Sequence, residues 1–346
     1  MSIVRHPLFW PLATLSVLLA INAAFNASFL TLQWRGGHLY GSLVDILKGA
    51  SPLILVSLGM TLVIATRGID ISVGAVVAIS AAVAAWMIGG SLVVVDGVPT
   101  QVSRFPMWAA MLTALGVALA CGAWNGLLVS FVGMQPIIAT LILMVAGRGI
   151  AQLVTGGQII TVYYAPYFFV GNGYLVGLPF AFLLALGVFA ALLLVTRRTA
   201  LGLFIQSVGI NPSAAHLAGL PARRITFWVY AFCAVCAGIA GLVVSSTVKS
   251  ADGNNAGLLM ELDAILAVTL GGTALTGGRF SLAGSVIGAL IIQTLTYGIY
   301  SLGVPPEINL VVKAAVVFAV MLLQSPEFRR TVTLLAIRPA AKELAR

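Results

Sequence analysis

Residues 53–87 read LILVSLGMTLVIATRGIDISVGAVVAISAAVAAWM, in which a short polar break, TRGIDISVG at 66–74, separates two apolar runs. Gly68 fits a sharp turn, and Asp70 and Ser72 are residue types that cap a helix at its N-terminus. The positive end of that helix also favours the Asp70 carboxylate. This first break predicts two helices joined by a tight turn, either as a short cytoplasmic hairpin or as a re-entrant break that lines a solute path. Non-helical backbone at membrane depth is tolerated only inside protein or beside a water-filled cavity.

The composition indicates an integral membrane protein. Of the 346 residues, 60% are hydrophobic and 8% are charged, and the mean hydropathy is +1.10. Apolar runs of about 20 residues, the length that crosses a bilayer, recur along the chain and are continuous rather than alternating, which favours helices over barrel strands. We predict one all-α membrane-spanning domain over residues 1–346, with about ten transmembrane helices and with broken or re-entrant segments. The predicted spans are 8–30, 43–65, 73–90, 107–132, 137–155, 178–196, 225–247, 259–275, 282–302 and 307–324.

The basic residues predict the orientation of these spans. Ten spans place most of the basic residues on one side, which the positive-inside rule makes cytoplasmic. These residues are Arg5, Arg197, Arg198, Arg223, Arg224, Arg329, Arg330, Arg338, Lys342 and Arg346. Both termini are therefore predicted to be cytoplasmic, and 325–346 is predicted to be a basic cytoplasmic tail. Because the net charge of +9 is spread over connectors, it does not indicate a nucleic-acid-binding face.

One connector, 197–226, is more polar and basic than most of the chain, with an arginine pair near each end, and contains a short predicted helix. Asn211 suits the N-cap, Pro212 the first helical position and Gly219 the left-handed residue after the end. A helix of about two turns is not stable by itself in water. We therefore predict that another protein binds this segment on the cytoplasmic side. The alternative is an ordinary loop with a capped turn.

A second break, GGTALTGGRFS at 271–281, resembles the first in composition. Glycines and an arginine precede Ser281, and a helix rich in small residues follows, which would allow close helix packing. The likeness hints at an internal duplication.

Several motifs occur in an order that resembles the ribose-type sugar permeases of ATP-binding-cassette importers. Besides the first break, they are WNG at 124–126, QPIIATL at 135–141, RGIA at 148–151, GINPSAA at 209–215, ELDAI at 261–265 and GGT at 271–273. Three further segments are similar to the permeases of galactofuranose importers: VGIN at 208–211, ADGNNAG at 251–257 and PPE at 305–307. The set covers residues 43–324. One residue departs from the family pattern, since Arg67 stands where the family usually has glycine.

The resemblance implies a permease domain over the whole chain, in the bacterial inner membrane, that forms half of a sugar path. Its implied partners are a second permease subunit, which we expect to be a different chain, a periplasmic sugar-binding protein and a cytoplasmic ATPase. ATP and Mg would be bound by that ATPase, since no G-x-x-x-x-G-K-[ST] occurs in this sequence. The resemblance makes 197–226 the segment that couples the permease to the ATPase. Its shape would be set by Gly209, Asn211, Ala214, Ala215 and Gly219.

Candidate residues for the path of a neutral, hydroxyl-rich sugar are polar or aromatic residues in or near the spans. They are Asp70, Ser72, Trp124, Asn125, Gln135 and Arg148. Trp124, Asn125 and Gln135 equally suit packing or helix capping. Arg148, placed in mid-span between two glycines, suits a structural ion pair, a path role or snorkelling toward the surface.

Glu261 and Asp263 lie near the predicted outer start of a helix, where carboxylates interact well with the helix dipole. The functional alternative is that they dock basic patches of the binding protein.

Two other classes of function are possible. A gradient-driven secondary transporter of a small polar solute would need no motor, although such a protein would be expected to show a buried acidic relay. A membrane-embedded enzyme is disfavoured, because His6, His38 and His216 are scattered, no H-E-x-x-H occurs, and no metal site is predicted.

Overall fold

The fold is described by a computed structural model, which covers residues 8–89, 92–95, 97–303 and 305–324. Helices dominate it. They are α1 (Phe9–Phe25), α2 (Ser42–Ala65), α3 (Val73–Ile88), α4 (Met107–Leu127, continued by a π-helical turn at Leu128–Val132), α5 (Pro136–Thr155), α6 (Ala165–Asn172), α7 (Phe180–Arg198), α8 (Leu201–Ile210), α9 (Pro212–Leu217), α10 (Ala222–Val248), α11 (Met260–Leu270), α12 (Leu282–Ser301) and α13 (Pro306–Gln324).

Each of the ten predicted spans overlaps one of these helices, and six helices within the described residues are long and apolar enough to cross a membrane. The six are α2, α4 with its π-helical turn, α5, α7, α10 and α12. The prediction of an all-helical membrane protein is therefore confirmed at this coarser level. The basic tail at 325–346 and Arg5 lie outside the described residues.

Four small antiparallel ribbons occupy connectors, which the all-α prediction did not include. They pair β1 (Gln33–Arg35) with β2 (His38–Tyr40), β3 (Leu92–Val95) with β4 (Val98–Gln101), β5 (Ile160–Thr161) with β8 (Ser250–Ala251), and β6 (Tyr174–Leu175) with β7 (Leu178–Pro179). In the first ribbon Gln33 pairs with Tyr40 and Arg35 with His38.

The core is built around α10, which packs against α2, α3 and α4 at points where one helix has a glycine. A Cβ on Gly59 of α2 would lie 2.7 Å from Cys233 Cα, and a Cβ on Gly122 of α4 would lie 2.7 Å from the Tyr230 carbonyl oxygen. Real Cβ atoms do not approach so closely, so these glycines allow the backbones to touch. Small residues at helix interfaces are the usual basis of close packing in membrane proteins.

The span predicted at 259–275 is much shorter in the structure. α11 has 11 residues, which at about 1.5 Å per residue is too short to cross a hydrocarbon layer of about 30 Å. It ends at Leu270, where the second break begins, and Gly272 has a φ of 88°, which a helix cannot continue. The predicted span is thus a short helix followed by irregular backbone.

Candidate path and coupling site

The first break lies inside the protein. Asp70 and Ser72 have no exposed surface, and only Arg67 of this segment is exposed. Ser72 occupies the N-cap position of α3 as predicted, but neither its side chain nor that of Asp70 makes a capping bond to the first turn of the helix. Instead Asp70 Oδ1 accepts hydrogen bonds from Ser72 N at 2.9 Å and from Ser72 Oγ at 2.6 Å. The two residues hydrogen-bond to each other within the turn, so the first backbone N–H groups of α3 receive no bond from either side chain.

Asn125 of α4 completes a buried polar cluster with these two residues. Its Nδ2 donates to Ser72 Oγ at 2.8 Å and lies 3.5 Å from Asp70 Oδ1. The structure therefore brings together Asp70, Ser72 and Asn125, three of the predicted path residues.

This cluster has hydrogen-bonding atoms that no described residue uses. Asp70 Oδ2, Asn125 Oδ1 and Tyr230 Oη are buried and have no hydrogen-bond partner within the described part of the chain. Leaving such an atom unpaired costs about 1–3 kcal/mol, so the cluster is suited to bind water or a hydroxyl-bearing molecule. Gly68 runs directly past Tyr230, and a Cβ at that position would collide with Tyr230 Oη.

Sequence reasoning missed two residues that contact the first break beside this cluster, Thr140 and Tyr230. Thr140 Oγ1 of α5 accepts from Ile71 N at 3.3 Å and also lies 3.4 Å from the Ile69 carbonyl oxygen. Thr140 belongs to the motif at 135–141, so a signal for it was present, whereas Tyr230 lies in an apolar helix with no motif.

Trp124 and Gln135 lie apart from the cluster. Trp124 is 52% exposed although its neighbour Asn125 is fully buried, because adjacent residues of a helix point about 100° apart. Gln135 is exposed at the start of α5, and its side chain makes no capping bond. Of these three residues, Asn125 alone joins the buried cluster, and the other two are exposed in this chain.

Arg148 binds backbone carbonyls rather than a carboxylate. Its Nη1 donates to Asn254 O at 3.2 Å and to Ala256 O at 2.5 Å. One helical turn further along α5, Gln152 Nε2 donates to Asn254 Oδ1 at 2.6 Å. These bonds hold the connector 252–259 against α5.

Of the two acidic residues of α11, one is buried and the other forms a salt bridge within the chain. Glu261 is 3% exposed, and its Oε2 lies where a Cβ on Gly74 would collide with it. Asp263 forms a salt bridge with Lys313 of α13, with 2.7 Å between Nζ and Oδ2. Glu261 Oε2 has no hydrogen-bond partner in the described part of the chain, but it is buried, and Asp263 is paired, so the geometry does not favour the docking role predicted for this pair.

The predicted short helix exists as α9. Asn211 Oδ1 accepts from Ser213 N and Ala214 N at 3.0 Å each, Pro212 opens the helix, and Gly219 has a φ of 85°. Ala215 is 5% exposed and faces the rest of the chain, whereas Leu217 is 88% exposed. Asn211, Ala214 and Gly219 are exposed as well. α9 therefore presents a surface that described residues leave uncovered.

The end of α8, which directly precedes α9, packs against both breaks. We call this contact the junction, and it consists of Ala65, Arg67, Gly209, Ile210, Gly277 and Gly278. Gly278 N donates to Ala65 O at 2.9 Å, which joins the second break to the end of α2. Gly209 fits between them, since a Cβ there would collide with Ala65 O and lie 2.6 Å from Gly278 N. Arg67 donates to Ile210 O at 2.5 Å.

Known proteins with similar sequences identify the family of this chain. A family model described as branched-chain amino acid transport system / permease component matches residues 42–321. The galactofuranose transporter permease protein of Escherichia coli K12 is 46% identical over 92% of this chain and 91% of that protein.

Two further relatives match over similar lengths. The fructose import permease protein of Bifidobacterium longum is 38% identical over 92% of this chain and 88% of that protein. The ribose import permease protein of Escherichia coli K12 is 34% identical over 91% of this chain and 92% of that protein. No solved structure matches the chain at a significant level. The chain therefore belongs to the family of transport-system permease components.

Proposed function

We propose that this chain forms half of the translocation path of an ATP-driven sugar importer in the bacterial inner membrane, with galactofuranose as the sugar. It is a transport subunit and not an enzyme. The observation that carries the proposal is the junction, where the end of α8, directly before the exposed capped helix α9, contacts the break that holds a buried polar cluster.

The chemistry of the cluster suits a sugar. Asp70 Oδ2, Asn125 Oδ1 and Tyr230 Oη offer both acceptors and a donor, and a sugar hydroxyl can donate and accept. The family description names branched-chain amino acids, while the relatives quoted above are named for galactofuranose, fructose and ribose. We favour a sugar and keep leucine as the comparison substrate.

The proposed assembly contains a second permease subunit, expected to be a different chain, with a periplasmic sugar-binding protein and a cytoplasmic ATPase. ATP and Mg belong to that ATPase. α9 is the surface on which the ATPase would act, because a two-turn helix that is uncovered in the permease alone can be covered in the assembly.

Transport in vesicles tests the proposal directly. We expect proteoliposomes that contain the complete assembly to take up labelled galactofuranose only when ATP is inside and the binding protein is outside. Labelled leucine should not be taken up. Uptake by this chain alone, driven by an ion gradient without ATP, would establish the secondary-transporter alternative instead.

We further propose ten transmembrane spans with both termini in the cytoplasm, in which the short helix α11 crosses together with the irregular backbone of the second break. Arg197 and Arg198 end α7 and Arg223 and Arg224 open α10, so both basic pairs flank α8 and α9. The positive-inside rule places this end of the molecule in the cytoplasm.

This orientation predicts opposite accessibility for two exposed positions. Leu217 is 88% exposed and Val176, in the turn between β6 and β7, is 89% exposed. In inside-out vesicles an impermeant thiol reagent should label Leu217→Cys and spare Val176→Cys, and right-side-out vesicles should give the reverse. Labelling of both positions from the same side would contradict the ten-span topology.

A further inference from the structure

We propose that Arg67 is a positioning residue that transmits a displacement of α9 to the first break. The inference rests on the proposed function, because it assumes that an ATPase acts on α9. It assigns Arg67 no contact with the transported solute and concerns the junction alone.

The backbone of Arg67 adopts a conformation that suits glycine better. Its φ is 63°, in the left-handed region that is unfavourable for residues with a Cβ. Arg67 N donates to Ile64 O and Gly68 N donates to Val63 O, each at 2.9 Å, so this residue closes the end of α2. Glycine would close the helix equally well, and the turn therefore does not explain why an arginine is present.

The side chain of Arg67 makes contacts that glycine could not make. Its guanidinium donates to Ile210 O, the last carbonyl of α8. Terminal carbonyls of a helix lack partners within the helix, and a cation is favourable at that end. The Cγ of Arg67 also lies against Gly277, where a Cβ would collide with it. One side chain thus joins the end of α2 to α8 and to the second break.

The contacts form a short connection between α9 and the polar cluster. Ile210 directly precedes Asn211, the cap of α9, so a shift of α9 moves the carbonyl that Arg67 binds. On the other side, Gly68 packs closely against Tyr230 Oη, since a Cβ at this position would collide with it, and this contact restricts sideways movement of the turn. A displacement at Arg67 is therefore passed along the backbone toward Asp70. Because Arg67 is exposed, water can replace its bond to Ile210, which makes the connection reversible.

The variant Arg67→Gly removes the side chain and keeps the turn, since glycine adopts the observed φ without strain. In the complete assembly in proteoliposomes, we expect the number of sugars imported per ATP hydrolysed to fall about tenfold, a coupling loss of ordinary size for linked sites. Basal ATP hydrolysis and co-purification of the ATPase should be unchanged, and the thermal unfolding midpoint of the purified chain should be equal or higher.

Lys249→Gly is the matched control. Lys249 also has a left-handed backbone, with a φ of 57°, and also ends a helix with a cationic side chain. Its side chain lies over the Phe168 ring, in contact with no junction residue. The control variant should gain the same relief of strain and keep the wild-type transport ratio. Arg67→Lys, which retains a cation but offers a different donor geometry, should retain part of the coupling.

The outcomes separate this inference from the proposed function. If the wild-type assembly shows no ATP-driven uptake, the proposed function fails first. If the wild type transports and Arg67→Gly transports with an unchanged ratio, the role of Arg67 is wrong and the importer remains. Loss of ATPase binding, or an unfolding midpoint lower than that of Lys249→Gly, would show that Arg67 serves assembly or stability and would overturn the positioning role.

Discussion

Replacing Gly209 by alanine is expected to abolish ATP-driven uptake. The added Cβ would collide with Ala65 O, and Gly278 N lies 2.6 Å away, so both obstacles are backbone atoms that cannot rotate aside. Overpacking of a tight contact costs about 1–3 kcal/mol, and here that cost falls on the contact between α8 and both breaks. Uptake into proteoliposomes is the measurement, with the amount of inserted chain determined in parallel.

Gly187→Ala is the matched control for this prediction. Gly187 lies in α7, and a Cβ there would meet nothing within 4 Å, so alanine should be tolerated or slightly stabilising. If Gly209→Ala transports as well as Gly187→Ala, the junction does not carry motion and the coupling account is wrong.

Replacing Asp70 by alanine is expected to have the second large effect. The substitution removes the acceptor of Ser72 N and Ser72 Oγ and leaves Asn125 Nδ2 with fewer partners, all inside the protein. Each buried donor that loses its partner costs about 1–3 kcal/mol. We expect a lower midpoint of thermal unfolding in detergent and loss of uptake.

Asp45→Ala provides the comparison, because Asp45 is an exposed acidic residue in the first turn of α2. Exposed substitutions of this kind usually change stability by less than about 0.5 kcal/mol. Equal midpoints for the two variants would show that the polar cluster does not stabilise the first break. Asp70→Asn adds a useful step, since it keeps one acceptor oxygen and should retain more stability than Asp70→Ala.

Local features were predictable from sequence where the signal lies within a few residues. The caps of α9 are an example, because Asn211, Pro212 and Gly219 each have a preferred position in a short helix and occupy it. Each of the ten apolar intervals overlaps a described helix, since continuous apolar runs of this length admit few other structures, but the interval 259–275 contains only the 11-residue α11.

Features that depend on distant contacts were not predictable. Asp70 and Ser72 have the residue types of helix caps, and only the approach of Asn125 from α4 shows that they form a cluster instead. Arg148 gave no sign of its partners, because Asn254 and Ala256 are brought to it by the packing of another connector. The burial of Glu261 likewise follows from the approach of Gly74, not from its own surroundings in the sequence.

The junction shows the same limit more clearly. In the sequence, both breaks and the segment 197–226 are recognisable separately, each from its own glycines and charges. That Gly209 fits between Ala65 and Gly278 is a property of three chain segments in space. Hydrophobic periodicity and turn chemistry contain no information about contacts between segments that are distant in sequence.

The central claim is that α9 is the surface on which a motor protein acts, and cross-linking tests it most directly. A photoreactive amino acid at Leu217, which is 88% exposed, should form an adduct in native membranes with a protein that contains a P-loop ATPase sequence. The same residue at Val176 should give no such adduct. Adducts at Leu217 with lipid or with a second copy of this chain, and none with an ATPase, would contradict the account.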